Sequence, residues 1–290
     1  MALDLDALQD LLVRALQEDV GPGDITSEAV IPPDARARAA FVMRRDAVVA
    51  GLPVVERLFA LVSPAVRFEP LVSDGERVEE GQVVARVEGP ARTLLRAERL
   101  ALNFLQRLSG IATLTRRCVV AAGETGVQIM DTRKTTPCWR ILEKYAVRCG
   151  GGANHRMGLY DQVLIKDNHL RVAARRHGDG AVAWSVRTAR QAVGPGIKVE
   201  AEADTLQQAA EAVEAGADVV MLDNMDLEAI RRAVADIRAM GEAGRRVEIE
   251  VSGGVGPDEI ADLAATGVNR ISLGCLTHSA PAADIALQFE

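Results

Sequence analysis

The spacing of apolar residues changes near residue 110, and the two parts of the chain predict different architectures. In the first part, an amphipathic pattern predicts a helix over residues 6–18, and the glycines and prolines of residues 21–33 predict a loop without regular structure. Strand-like runs follow, and a helical pattern then extends over residues 93–122, with a break at Ser109-Gly110 as one interpretation. These mixed elements lack a regular βα repeat and favour an α+β domain.

After residue 125, short apolar runs alternate with helical stretches. The six runs are VQIMD, QVLIKD, IKVEAEAD, ADVVMLD, RVEIEVSGG and NRISLG. Strands that alternate with helices predict a parallel βα architecture. We favour a closed or nearly closed barrel over a doubly wound sheet, because no GxGxxG follows the first strand and polar residues cluster at the carboxyl ends of the strands.

The strand KVEAEAD alternates with a period of two residues. Lys198, Glu200, Glu202 and Asp204 share one face, while small apolar residues occupy the other. This pattern predicts a charged row that points into the barrel, where the carboxylates need lysine, arginine or a metal ion as a partner. A solvated edge strand is the alternative that the pattern leaves open.

Acidic residues also mark two later strands. Asp223 ends VVMLD, and Glu250 shares a face with Ser252 in VEIEVSGG. Together with Glu202, these acidic strand ends predict a site for a hard divalent cation at the barrel mouth. Mg²⁺ is the favoured ion, because it prefers oxygen ligands and often bridges to substrate phosphates.

Glycines end the last two predicted strands. Ser252-Gly253-Gly254 ends one strand, and Gly274 ends the next. Glycine lets backbone N–H groups approach an anion, and βα barrels often hold phosphate at the loops after their last two strands. The position favours a phosphate site over ordinary turns.

The composition narrows the class of protein. With 290 residues, of which 48% are hydrophobic, the chain suffices for one large or two ordinary globular domains. No apolar run reaches the roughly 18 residues of a membrane helix, and aspartates near the start replace the positive charge of a signal peptide. The four cysteines form no CxxC pair, so we expect reduced thiols and a cytoplasmic protein rather than a zinc or redox site.

The charge distribution points to small anionic ligands. The formal net charge of −7 argues against the broad basic surface of a nucleic-acid-binding protein. Residues 131–176 nevertheless contain ten Lys or Arg against four acids, a local charge of +6, which predicts a concave cationic site. Only four of the 34 basic residues are lysines, and we select Lys134 and Lys166 as the two most required for chemistry.

The motif DTRKTTP places Arg133 and Lys134 directly after a predicted strand. Thr136 fits the N-cap and Pro137 the first position of a following helix. A helix start alone does not explain the two adjacent cations.

A second basic motif, NHRMGLYDQVLIKDNH, places His155 and Arg156 before a predicted strand and Lys166 at its end. A lone histidine is usually structural. The combination of His-Arg with a strand-end lysine fits a cradle for carboxylate or phosphate better.

Several long motifs, in the same order along nearly the whole chain, resemble the quinolinate phosphoribosyltransferases, also called nicotinate-nucleotide pyrophosphorylases (carboxylating). The matching stretches are GDITSEAVIP, ERLALNFLQRLSGIAT, DTRKTTP, NHRMGLYDQVLIKDNH, VEAEADTLQQA, MLDN, SGGV and LGCLTHSAPAADIALQF. The resemblance implies an α/β chain: an N-terminal α+β open sandwich domain at residues 1–110, to which residues 276–290 return, and an incomplete parallel α/β barrel of about seven strands at residues 111–275. The family usually has Gly-Leu where Cys138-Trp139 stands here.

The resemblance also implies a reaction. Phosphoribosyl passes from 5-phosphoribosyl-1-pyrophosphate to quinolinate with decarboxylation, giving nicotinate mononucleotide, pyrophosphate and CO₂ in NAD biosynthesis. The implied assembly is a homodimer or higher homo-oligomer with composite active sites, in which one subunit's N-terminal domain covers the other's barrel mouth.

The same resemblance assigns roles to residues of this sequence. The implied quinolinate ligands are Arg99 from the neighbouring subunit, Arg133, His155, Arg156 and Lys166, with Lys134 placed to contact either substrate. Glu202 and Asp223 are implied to bind Mg²⁺ and the ribose hydroxyls. The implied phosphate ligands are Ser252, Gly253, Gly254 and Gly274. The expected catalytic residues are Lys134, Lys166, Glu202 and Asp223.

Two alternatives remain open. A molybdenum-transport-associated relative of the same fold would share DTRK and use another nitrogen heterocycle, and a non-catalytic anion-binding barrel would keep the pocket without turnover. The presence of His155-Arg156, Lys166 and the acidic strand ends argues against both.

Overall fold

The computed structural model describes residues 3–290, which divide into two compact units. The first unit comprises the chain up to Arg116, together with Thr135–Gly151 and Leu276–Glu290. The second comprises Arg117–Lys134 and Gly152–Cys275. The chain therefore leaves the second unit after Lys134, inside the first basic motif, and re-enters it at Gly152, just before the second.

Helices and strands alternate irregularly in the first part of the chain. They are α1 (Gln9–Val20), α2 (Ile25–Val30), β1 (Arg36–Met43), β2 (Ala47–Val48), α3 (Leu52–Val62), β3 (Arg67–Pro70), β4 (Arg77–Val78), β5 (Val83–Pro90) and α4 (Ala91–Ala122). The later elements are β6 (Gln128–Met130), α5 (Arg140–Cys149), β7 (Val163–Ile165), α6 (Asp167–His177), α7 (Ala181–Ala192), β8 (Val199–Ala203), α8 (Leu206–Glu214), β9 (Val219–Asp223), α9 (Leu227–Ala239), α10 (Gly241–Arg246), β10 (Glu248–Ser252), α11 (Ile260–Ala264), β11 (Arg270–Ser272), α12 (Cys275–His278) and β12 (Ile285–Phe289).

An antiparallel sheet with the strand order β12-β1-β5-β3 organises the first unit. The last strand of the chain, β12, pairs with β1, and Phe289 lies opposite Ala39. The second half of β1 is buried, and its Phe41 packs edge-on against Phe59 of α3 and Phe68 of β3. Aromatic residues thus form the centre of this core.

A parallel sheet with the strand order β6-β11-β10-β9-β8-β7 organises the second unit. These are the six strands that the sequence predicts, and the fold class, an α+β domain followed by a parallel α/β domain, is confirmed. The sheet does not close into a barrel within residues 3–290. Beyond β6, Ala153 forms a single parallel bridge with Met130, so the expected seventh strand is reduced to one residue pair.

Helix α4 continues unbroken through Ser109 and Gly110, where the sequence left a break open. Ser109 Oγ accepts a hydrogen bond from the N–H of Ala50 at 3.1 Å. A Cβ atom on Gly110 would lie only 2.0 Å from the Pro281 carbonyl oxygen, so glycine is needed for close backbone approach. Although α4 has 32 residues, no helix of the described chain is both long and apolar enough to cross a membrane.

Two sequence-based expectations about helix starts are wrong. Residues 21–33 were expected to be irregular but contain α2, because Asp24 caps its N-terminus by accepting from the N–H of Ser27 at 3.0 Å. Helix α5 begins at Arg140 rather than at Pro137. Thr136 does not cap it, because its side chain and N–H both donate to Glu143 inside the helix.

Candidate active site

Polar residues of the second unit lie at the carboxyl ends of its parallel strands. Lys166 follows β7, Glu202 lies near the end of β8, and Asp223 and Ser252 end β9 and β10. Ser252 is directly opposite Asp223 in the strand register. Because these strands are neighbours in the sheet, the predicted residues are brought to one edge of it.

Glu202 is paired with a lysine across two neighbouring strands. Lys166 Nζ lies 2.6 Å from Glu202 Oε1, and the N–H of Asp167 donates to Glu202 Oε2 at 3.0 Å. Glu202 is buried, whereas the Lys166 side chain is 46% exposed. The lysine therefore neutralises a buried carboxylate and remains accessible to a ligand.

Asp223 lies in a locally negative environment. Burial raises the pKa of its carboxyl, the negative charges of Glu202 and Asp204 raise it further, and Lys166 and Lys134 oppose the rise. Mutual repulsion between Glu202 and Asp223 means that a cation would stabilise the pair. Their carboxylate oxygens are the hard donors that Mg²⁺ prefers, so the two residues fit the predicted magnesium site.

The turn after β10 needs glycine at two positions, for space at the first and for backbone conformation at the second. Gly253 has φ +89°, and a Cβ there would lie 2.6 Å from both Asp223 Oδ1 and Asn224 Oδ1. Gly254 has φ +66° and open space where its Cβ would point. Glycine is needed at both positions, and the second offers the exposed backbone that an anion could approach.

Asp131 shapes the second basic motif, and sequence reasoning missed it. This fully buried carboxylate follows β6 and accepts from the N–H of His155 at 2.9 Å. The side-chain amide of Asn154 donates to its other oxygen. Asp131 is the first residue of DTRKTTP, and its position directly after a strand could have indicated a buried structural carboxylate. The sequence predicts ligand binding only for Arg133 and Lys134 of this motif.

The His155 ring is buried, with the backbone of Arg156 on one side and the carboxylates of Glu200 and Glu250 on the other. Its Nδ1 accepts from the N–H of Arg156 at 2.8 Å, which places the proton of the neutral ring on Nε2. Nε2 lies 3.0 Å from Glu200 Oε2 and 3.6 Å from Glu250 Oε1. A protonated Nε2 does not ligate a metal, so this buried group of three residues is an internal polar cluster rather than a metal site.

Burial raises the pKa of Glu200 to about 8 and that of Glu250 to about 7, although Arg270 opposes both shifts. Both side chains are completely buried, and Ser272 Oγ donates to Glu250. The two glutamates of the predicted row, Glu200 and Glu202, are therefore buried as the period-two pattern predicts, whereas Lys198 is half exposed and Asp204 is exposed. Glu250 contributes to this internal cluster, which corrects the expectation that it joins Glu202 and Asp223 at the metal site.

Arg156 and Arg133 form a region of concentrated positive charge. Arg156 is buried, and one of its guanidinium nitrogens donates to the Gln162 carbonyl at 3.2 Å. Its pKa is lowered by burial and then by the nearby positive charge of Arg133. Two close guanidinium groups favour a ligand with more than one negative charge.

Arg99 lies exposed on α4 in the first unit. Within residues 3–290 it makes no ion pair with a carboxylate, and Glu88 pairs instead with Arg38 at 3.0 Å. Arg99 does lower the pKa of the adjacent Glu98, whose burial raises it more. The side chain is thus available for a ligand or another subunit.

Comparisons with known proteins cover the whole chain. Residues 24–109 match the family model "Quinolinate phosphoribosyl transferase, N-terminal domain", and residues 111–288 match the corresponding C-terminal domain. A probable nicotinate-nucleotide pyrophosphorylase [carboxylating] from Bacillus subtilis is 40% identical, with 97% of this chain and 92% of the relative covered. A quinolinate phosphoribosyltransferase [decarboxylating] from Nicotiana glauca is 39% identical, with 98% and 82% covered.

Solved structures show the same architecture. NadC from Streptococcus pyogenes superposes with a TM-score of 0.91 at 38% identity and covers 100% of this chain and 99% of its own. The nicotinate-nucleotide pyrophosphorylase from Francisella tularensis superposes with a TM-score of 0.90 at 35% identity, covering 100% and 98%.

Proposed function

This chain belongs to the quinolinate phosphoribosyl transferase family. We propose that the residues at its strand ends form two half-sites, a basic one that binds quinolinate and an acidic one that binds phosphoribosyl pyrophosphate. The enzyme transfers phosphoribosyl from 5-phosphoribosyl-1-pyrophosphate to quinolinate with decarboxylation, in NAD biosynthesis. The products are nicotinate mononucleotide, pyrophosphate and CO₂.

One observation carries the assignment of half-sites: the Arg133–Arg156 cationic region and the Glu202–Asp223 carboxylate pair belong to the same unit, and Lys166 interacts with both carboxylates. Quinolinate carries two carboxylates and needs cations. Phosphoribosyl pyrophosphate carries phosphates and a metal, and needs both cations and carboxylates.

The basic half-site binds quinolinate. Arg133 and Arg156 pair with its carboxylates, and Lys166 adds an accessible positive charge at the end of β7. His155 completes the group by fixing the backbone of Arg156 through its Nδ1 contact. Lys134 is exposed and close enough to influence the pKa of Asp223, so it can contact either substrate.

The acidic half-site binds phosphoribosyl pyrophosphate. Glu202 and Asp223 hold Mg²⁺ and the ribose hydroxyls, and when bound the ion neutralises pyrophosphate charge. The backbone of Ser252, Gly253, Gly254 and Gly274 holds the 5-phosphate. A chelator such as EDTA, added in excess, abolishes turnover if this metal assignment holds, and full turnover in its presence contradicts it.

The residues act mainly by positioning and by charge. They hold the quinolinate ring nitrogen against the anomeric carbon, which it attacks as pyrophosphate leaves. Lys134 and Lys166 stabilise negative charge on the departing group and on the substrate carboxylates. The bond to the carboxylate next to the ring nitrogen then breaks, and CO₂ leaves while the electron pair stays on the ring carbon, where the adjacent positive pyridinium nitrogen stabilises it. That carbon then takes a proton from water.

A homodimer with composite sites is part of this proposal. Arg99 of the partner subunit would complete the quinolinate site, and its exposure, with no ion pair among the described residues of its own chain, supports that role. A cytoplasmic location is also proposed, supported by four cysteines that are all free in the structure.

The experiment that tests the proposed function is a quinolinate-dependent pyrophosphate-release assay. Release that depends on both substrates supports it. Release with a different nitrogen heterocycle but not with quinolinate would indicate a relative with another substrate, and binding without release would indicate a non-catalytic protein.

A further inference from the structure

The side chain of Glu143 is completely buried, and none of the sequence motifs assigns it a role. It lies in the first turn of α5, which follows the loop that carries Arg133 and Lys134. A buried carboxylate is unfavourable unless charged and hydrogen-bonding partners surround it. The residues that donate hydrogen bonds to Glu143 therefore indicate its structural role.

Among the described residues, two donate every hydrogen bond that the Glu143 carboxylate accepts. Arg107 of α4 donates to Glu143 Oε1 from NH2 at 2.8 Å and from Nε at 3.3 Å. Thr136 donates twice, from its hydroxyl to Oε1 at 2.9 Å and from its N–H to Oε2 at 3.0 Å. Both carboxylate oxygens thus bind Thr136, which follows Lys134 by two residues.

Arg107 also contacts a second segment of the chain. It donates to the Ala280 carbonyl at 3.0 Å and to the Thr277 carbonyl. Thr277 follows Gly274, a proposed phosphate ligand, by three residues. One arginine therefore links the segment that follows the basic loop to the segment that follows the phosphate-binding turn.

A second anchor lies just beyond Thr136. The N–H of Trp139 donates to the Thr136 carbonyl at 3.0 Å, and the Trp139 ring stacks on Phe104 of α4 with centroids 4.7 Å apart. Phe104 and Arg107 are three residues apart on α4 and so lie on one face of it. The carboxyl end of the loop is held to that face at two points.

We propose that Glu143, oriented by Arg107, is a positioning residue that fixes Thr136 and thereby sets Arg133 and Lys134 for quinolinate. The inference rests on the proposed function, because it assumes that this loop binds quinolinate. Glu143 contacts no substrate itself. Its effect is transmitted along the backbone through Thr135, the one residue between Lys134 and Thr136.

Thr136→Val tests the proposal with little risk to folding, because Thr136 is exposed and valine has the same shape. The variant removes the hydroxyl donor to Glu143 and keeps the N–H donor. We expect the KM for quinolinate to rise about fivefold, the KM for phosphoribosyl pyrophosphate to change less than twofold, and Thr136→Ser to restore the wild-type value. Thr125→Val is the matched control, because Thr125 is also exposed and its hydroxyl contacts only backbone groups far from Glu143, donating to the Ala122 carbonyl and accepting from the Val127 N–H.

A double-mutant cycle tests whether the effect passes through Glu143. In a Glu143→Ala background shown by circular dichroism to be folded, where no acceptor remains for the Thr136 hydroxyl, Thr136→Val should add no further rise in the KM for quinolinate. Should Glu143→Ala not fold, the Thr136→Val and Thr136→Ser pair decides the question alone. An unchanged KM for quinolinate, or an equal rise in both KM values, overturns the positioning role. Absence of turnover by the wild-type enzyme would instead overturn the proposed function, so the two failures are distinguishable.

Discussion

Lys166 and Glu202 form an ion pair with 2.6 Å between Nζ and Oε1, and they lie at the carboxyl ends of neighbouring parallel strands. The lysine is half exposed, and the glutamate is buried. Glu202 also raises the pKa of Asp223. The pair therefore lies where the basic and acidic half-sites of the proposed active site meet.

The two arginines of the basic half-site should act selectively on quinolinate. Arg133→Ala and Arg156→Ala each remove a charge-assisted contact worth about 1.5–3 kcal/mol, so the Kd for quinolinate should rise tenfold or more. The Kd for phosphoribosyl pyrophosphate should change much less. Isothermal titration calorimetry measures both, and equal losses of affinity for the two substrates would refute the assignment.

Buried carboxylates should make stability depend on pH. The pKa of Glu250 is raised from 4.5 to about 7 in the folded protein, because burial disfavours its charged form. The stabilisation that protonation provides is fully present below pH 4.5 and is lost as the pH rises through about 7. Glu200 acts in the same direction.

The urea midpoint of unfolding, measured from pH 5 to pH 8.5, should therefore fall toward the alkaline end. Glu250→Gln, which cannot ionise, should show a smaller fall over the same range. A slope identical to that of the wild-type protein would show that Glu250 is ionised throughout.

Cys138 has an unfavourable backbone conformation. Its φ of +67° lies in the left-handed region, which costs a non-glycine residue on the order of 1–3 kcal/mol. Glycine loses more entropy on folding, roughly 0.5–1 kcal/mol, so Cys138→Gly should stabilise the protein by about 1 kcal/mol. A lower urea midpoint for this variant than for the wild-type protein would contradict the expectation.

Composite active sites predict complementation between inactive variants. Arg99→Ala and Lys166→Ala should each be nearly inactive, and mixing them should restore activity, because each mixed dimer contains one site with both wild-type residues. Each variant subjected to the same mixing protocol alone is the control. If mass spectrometry detects mixed dimers and activity does not return, each chain builds its own site.

The alternation of charged and small residues in β8 correctly predicted that Glu200 and Glu202 are buried on one face, because strand periodicity is a local property; Asp204, just beyond the strand, is exposed. It could not predict that Glu200 is deep in a cluster with His155 while Glu202 pairs with Lys166. That difference depends on neighbouring strands: Glu200 lies opposite Val219, and Glu202 lies opposite Met221, two residues closer to the sheet edge. How far a strand residue lies from the carboxyl end of the sheet depends on the pairing register with strands that are distant in sequence, which the local pattern does not contain.

The start of α5 shows how tertiary contacts override local preference. Thr136-Pro137 is a favourable helix start, yet the helix begins at Arg140 because Thr136 binds a buried carboxylate. The sequence shows that Cys138-Trp139 replaces the Gly-Leu usual in the family, but it does not show what the replacement does. The structure gives it a physical account, since Cys138 adopts the conformation that suits glycine and Trp139 stacks on Phe104.

The most direct test of the proposed function is the product stoichiometry of the purified enzyme with quinolinate labelled in the carboxyl group next to the ring nitrogen. With phosphoribosyl pyrophosphate and Mg²⁺ present, we expect equal amounts of pyrophosphate, labelled CO₂ and nicotinate mononucleotide. Omission of either substrate should abolish all three products, and Lys166→Ala should reduce them together. Pyrophosphate release without labelled CO₂, or no release at all from the wild-type enzyme, would contradict the account.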